Sequence, residues 1–144
     1  MQYDPDRLLE IIREGAEIHQ ELDDRSYVDF VRGCGEEGLR TITEILKAQV
    51  DETDESIACY SANLIIRSQL PGRVGVILET LRLPFRNPGV RDEVLETIFD
   101  EIVGDPEFLR DAEVVSEARR VEAGYPWVRE QIGRFLRNAT DMDA

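Results

Sequence analysis

The sequence predicts an all-α protein: a short α-α superhelix of about seven or eight helices arranged as antiparallel pairs. Three observations lead to this class. Apolar residues recur at helical spacing along nearly the whole chain, and no segment alternates as a strand would. Five of the six prolines (Pro5, Pro71, Pro88, Pro106 and Pro126) stand where a first helical turn would begin. Proline is favoured there because its missing N–H would be unpaired in any residue. An apolar ladder also returns from residues 57, 90 and 128, at intervals of 33 and 38 residues, the period of stacked two-helix units.

The elements follow in order. The first helix spans 5–22, with Asp4 as its cap and Leu8, Leu9, Ile12, Ala16 and either His19 or Leu22 turned inward. A short helix over 26–32 runs into Gly33-Cys34-Gly35-Glu36-Glu37-Gly38, which spells G-x-G-x-x-G. A dinucleotide site would need a βαβ unit around it, and Glu36 and Glu37 would repel a phosphate. These glycines are therefore read as a hinge. Helices are then predicted over 37–50, 54–69, 71–83, 88–103, 106–122 and 126–138. Asn87 and Asp105 act as caps, and Pro84 falls where a helix should stop. The connections are short, so neighbouring helices must run antiparallel. Residues 1–144 suit a single domain, with 139–144 expected to fray.

Composition narrows the function. Thirty-one acidic residues against 17 basic ones leave a net charge of −14. That excess opposes binding to a phosphate backbone and favours a basic partner, or simple solubility. No apolar run is long enough to cross a bilayer, so no membrane association is expected. The acidic, amphipathic N-terminus resembles neither a signal nor a transit peptide, which makes a cytoplasmic location the expectation. Cys34 and Cys59 are read as reduced thiols, with Cys59 buried. His19 is the only histidine; it can build neither a metal set nor a hydrolytic triad. Glu10, Glu14, Glu17 and Glu21 line one helical face but lack the Glu-x-x-His units of di-metal bundles, so the face is read as solvated. Asn138-Ala139-Thr140 is a glycosylation sequon by pattern alone. No cofactor, metal or catalytic residue is expected, and the chain is read as a non-enzyme.

The ladder itself is specific. Ile57-Ala58 with Ser61, Ala62 and Ile65 matches Val90-Arg91 with Val94, Leu95 and Ile98, and again Val128-Arg129 with Ile132, Gly133 and Leu136. The later copies open as Pro88-Gly89-Val90-Arg91 and Pro126-Trp127-Val128-Arg129. This pattern resembles the second helix of HEAT repeats, of the armadillo-type helical repeat family. The resemblance covers residues 36–138 and leaves 4–35 as an atypical N-terminal helical cap. It implies that Arg91 and Arg129 pair with turn aspartates and tie neighbouring repeats together; the first copy departs from it, with Ala58 in the arginine position. It also implies that the second helices line a concave surface.

Rotation by about 100° per residue gives the 88–103 helix a buried face of Val90, Val94, Leu95, Ile98, Phe99 and Ile102. Glu93, Glu96 and Asp100 fall on the opposite side, where the resemblance would turn them toward a groove. Asp51, Glu52, Asp54 and Glu55 crowd one turn, as a second acidic candidate or as ordinary helix capping. Phe85 is a candidate interface aromatic, whereas Trp127 is expected to fill a gap between repeats. The expected function is a non-catalytic, acidic protein–protein interaction module that binds a basic protein. A bacterial immunity-type inhibitor of a toxin is one concrete form. Two alternatives stand beside it. One is a HEAT-like nucleic-acid-binding or base-acting enzyme using Arg129, Arg134 and Arg137. The other is a structural subunit of an assembly, a homo-oligomer included.

Overall fold

A computed structural model describes residues 4–18 and 25–143. His19, Glu21 and Leu22, named above, lie outside the described residues. The described chain is all-α, without strands. Its helices are α1 (Pro5–Ile18), α2 (Arg25–Lys47), α3 (Ser56–Ser68), α4 (Arg73–Leu81), α5 (Pro88–Ile102), α6 (Pro106–Leu109), α7 (Ala112–Gly124) and α8 (Arg129–Asp143). Short 3-10 turns occupy Ala48–Asp51 and Pro126–Val128.

Side-chain caps set the starts of α1, α5, α6 and α7. Asp4 Oδ1 accepts from the N–H groups of Asp6 and Arg7. Asn87 Oδ1 accepts from Gly89 and Val90, with Pro88 as the first helical residue. Asp105 repeats the device ahead of Pro106. Each cap satisfies donors that the helix cannot pair internally. Pro71 is different: α4 begins at Arg73, after Gly72 takes a left-handed conformation at φ 92.

The glycine segment is the hinge its sequence predicts: α2 is two helical stretches joined across a kink at Gly35, which alone leaves helical geometry, at φ 63 and ψ −147. That backbone region is open almost only to glycine, so one residue provides the whole kink. The predicted 106–122 helix is two helices, because Asp111 Oδ1 accepts from Val114 N–H at 3.0 Å and starts α7 afresh. The tail does not fray at 139: α8 continues to Asp143, with Ala139 buried and Met142 packed on the core. On α1, Ile11 is buried where Leu9 was expected, and Leu9 is half-buried.

One hydrophobic cluster extends from Leu8 to Ala139. Within it α3 packs on α1, α2 and α5, and α5 packs on α8. On the other side α2 meets α4, and α4 meets α7, while α6 wedges against α7 and α8. The buried side of α5 is Val90, Val94, Leu95, Ile98, Phe99 and Ile102, the face its periodicity predicts. Phe99 meets Phe135 of α8 edge to face at 5.6 Å, a geometry worth about 0.5–1.5 kcal/mol beyond area burial.

Polar contacts between helices show a regular stride. Arg32 Nε donates to Ser68 O, 36 residues away. Arg67 pairs with Glu101 across 34 residues, and Arg82 with Glu117 across 35. Gln131 reaches Glu96 and Asn138 reaches Val103 O, both across 35. Several of these contacts also satisfy carbonyls at helix C-termini. Asn138 Nδ2 caps α5 at 2.7 Å from Val103 O, and Arg32 caps α3 at 2.9 Å from Ser68 O.

Arg73 is the most enclosed of these links, with its side chain 7% exposed. Its guanidinium donates to Ile66 O at 2.6 Å, to Asp105 at 2.8 and 3.0 Å, and to Glu107 at 2.9 Å. It also lies 4.9 Å from the centre of the Phe108 ring.

Candidate functional site

The surface that carries the α5 acidic row is built where α5 and α8 run side by side. Three contacts set their register: Arg91 over the Tyr125 ring at 4.0 Å, Gln131 Nε2 to Glu96 Oε1 at 3.4 Å, and Asn138 to Val103 O. Residue numbers rise together along both helices, so the pair is parallel. Burying the apolar side of α5 turns Glu93, Glu96 and Asp100 outward; Glu93 and Asp100 are exposed and Glu96 is half-buried. Beside them α8 adds Glu130, Gln131 and Arg134.

The carboxylates crowd one another. Partial burial raises Glu96 above the ordinary carboxylate range, and the charges of Glu93 and Asp100 push it further. Asp100 is raised by burial against the pull of Arg134, with Glu101 and Glu130 pushing upward. In both, burial is the larger cause and neighbouring carboxylates add to it, with Arg134 offsetting part of the rise at Asp100. Asn63 Oδ1 on α3 and Gln131 Oε1 on α8 are buried acceptors without a hydrogen-bond partner.

Cys59 ties this surface to α3. Burial drives its thiol up to about 11, and Glu93, Glu55 and Asp54 add to the rise against a hydrogen bond with Thr97. Cys34 and Cys59 are both free thiols. Cys59 is half-buried, contrary to expectation, because it sits at the α3–α5 margin; Cys34 is the buried one. A thiol held so high supplies little thiolate at neutral pH.

The acidic turn divides between internal uses and exposure. Asp51 Oδ1 pairs with Arg86 at 2.8 Å. Asp54 Oδ1 accepts from Ser56 N–H at 2.7 Å, and that bond holds its carboxyl below the usual range. Glu52 and Asp54 line a cleft of about 700 Å³ with Arg13, Glu17, Ser56 and Ile57. Glu55 is half-buried. The turn is thus joined to the start of α5 through Arg86 and to its flank through the neighbourhood of Cys59.

Other candidates fall differently. Phe85 is half-buried and packs against the core. Arg91 links α5 to the turn before α8 through the Tyr125 ring, and its ion pair is with its neighbour Asp92 at 3.1 Å. Arg129 is exposed. The arginine that grips a turn aspartate is Arg73, which the sequence reading passed over. Its signal was a basic residue 32 positions before the Asp105-Pro106 turn, close to the 33-residue interval between the first two ladder copies. Trp127 fills no gap between repeats: it is 84% exposed, because Val128 takes the buried position in that turn.

Among the described residues no group of three or more His, Cys, Asp or Glu is placed to hold a metal ion. No described helix is long and apolar enough to cross a membrane. Comparison with protein-family models, with curated proteins and with solved structures finds no match to this chain.

Proposed function

We propose that this protein is a non-catalytic binding module that holds a basic protein on the face formed by α5 and α8. The observation that carries this reading is the outward-facing row Glu93, Glu96 and Asp100, extended by Glu130; partial burial raises Glu96 and Asp100, and neighbouring carboxylates push them further. A cationic partner relieves that repulsion, and complementary charge gives both steering and register. The stride of 32 to 36 residues in the contacts of Arg32, Arg67, Arg73, Gln131 and Asn138 supports a HEAT-like stack as the scaffold. An immunity-type inhibitor of a basic toxin is one form such a module takes.

Calorimetry with a helix-forming peptide carrying arginine at every fourth position tests the reading. Replacing Glu93, Glu96 and Asp100 together by lysine is expected to weaken binding at least about tenfold, a 1.4 kcal/mol change. The same change of charge at Glu10, Glu17 and Glu37, exposed on α1 and α2, is expected to leave most of the affinity. Circular dichroism checks that both variants keep their helices. Equal weakening by the two variants would show bulk charge acting in place of a site.

A further inference from the structure

We infer that Trp127 is the anchor of the partner, receiving an arginine side chain whose guanidinium lies on the indole while carboxylates of the α5–α8 face pair with its neighbours. This rests on the basic-partner reading and specifies where and how contact is made.

The indole is the one large hydrophobic side chain standing exposed among the described residues. Tryptophans left in water on a firm support are the residues that most often dominate binding energy once covered. The support here is firm. Pro126 fixes the backbone, Val128 is 1% exposed, and its N–H donates to Tyr125 O at 3.3 Å. The backbone that carries the indole therefore has little conformational freedom left to lose when a partner docks.

Position and charge select the occupant. Trp127 precedes Gln131 by four residues, and Gln131 reaches Glu96. Glu93 precedes Glu96 by three on the parallel helix. The indole thus stands at the Glu93 end of the acidic row. Anionic occupants such as nucleic acid or a lipid surface meet the repulsion of the acidic row, and a second copy brings another −14. A cation meets Arg129 and Arg91 in the same turn, but Arg91 is already paired with Asp92, and the carboxylates of Glu93, Glu96, Asp100 and Glu130 outnumber these arginines. Arginine suits the place better than lysine, because its flat guanidinium stacks on an aromatic face and still offers a fork to carboxylates. The same turn already shows this chemistry internally, with Arg91 over Tyr125 at 4.0 Å.

Trp127 is the only tryptophan in the chain, so its fluorescence reports on this place alone. The probes are the arginine peptide and its lysine counterpart, titrated at moderate salt. The arginine peptide is expected to shift or quench the emission at saturation and to bind more tightly than the lysine peptide. Trp127→Ala is expected to weaken it at least about tenfold, and Trp127→Phe to retain part of the affinity. If the charge-reversed Glu93, Glu96 and Asp100 variant loses binding while emission stays constant and Trp127→Ala binds as wild type, the anchor is overturned and the acidic face stands. If the charge-reversed variant binds as wild type, the acidic face itself has failed, and the anchor's basic occupant with it. Light scattering adds one more decisive result: a dimer that Trp127→Ala dissolves would make a second copy the occupant and overturn the proposal.

Discussion

Arg73 concentrates several helix links in one side chain. It reaches the end of α3 through Ile66 O and the start of α6 through Asp105 and Glu107. Removing one member of an enclosed ion pair leaves the others desolvated and unmatched, at a cost of about 3–5 kcal/mol. Glu107 is 57% exposed on its side chain, so Arg73→Met is expected at the low end, about 3 kcal/mol. Urea denaturation should show that loss, with Arg73→Lys recovering only part, since an ammonium cannot copy the fork. Composition concealed this residue, because an arginine reads as surface unless its partners are known. The opposite happened at Trp127, where an aromatic read as filler stands in water. In both cases the deciding fact is which neighbour occupies the adjacent space, and that is a tertiary property.

At the scale of elements, the buried face of α5 was legible because a 3.6-residue period and an Asn-Pro cap act locally. The split between α6 and α7 was not, because Asp111 fits both a helix interior and a cap until its side chain finds Val114 N–H. The acidic row on α5 was readable from helical rotation, but its companionship with α8 depended on packing. Close approach of α1 to α3 was equally hidden. A methyl group at Gly15 would run into the Tyr60 ring, which is 3% exposed and has no room to retreat. Gly15→Ala is therefore expected to cost about 1–3 kcal/mol through overpacking, seen as a lower denaturation midpoint. Shortening the opposing residue in the double variant Gly15→Ala/Tyr60→Leu should cost less than the sum of the single changes.

For the whole molecule, the acidic face trades stability for charge. A carboxyl whose folded pKa is raised binds its proton more readily in the folded than in the unfolded state. Its charged form therefore weakens the fold at neutral pH, and that penalty fades as pH falls through the raised value. Glu96 and Asp100 are in this position. Glu117 is the reverse: burial would raise it, but Arg120 and Arg82 together hold it below its ordinary value. Its contribution is present at neutral pH and lost as pH falls through the lowered value. Replacing Glu96 by Gln and Asp100 by Asn is expected to raise the neutral-pH melting temperature while weakening the arginine peptide. The thermal gain should vanish in acid, where the wild-type carboxyls are already protonated. A melting temperature that falls at neutral pH would show that these two charges are paired in the native protein.

The regular stride of the cross-helix contacts also governs how the chain finds its shape. Loop-closure entropy grows only as the logarithm of loop length, so the links from Arg32 to Ser68 and from Asn138 to Val103 close loops of nearly equal difficulty. No single remote junction has to form before the others can. On the proposed stack of repeats, assembly can start at any adjacent pair of units and spread outward like a zipper, and under tension the ends should peel away before the middle that Arg73 clasps.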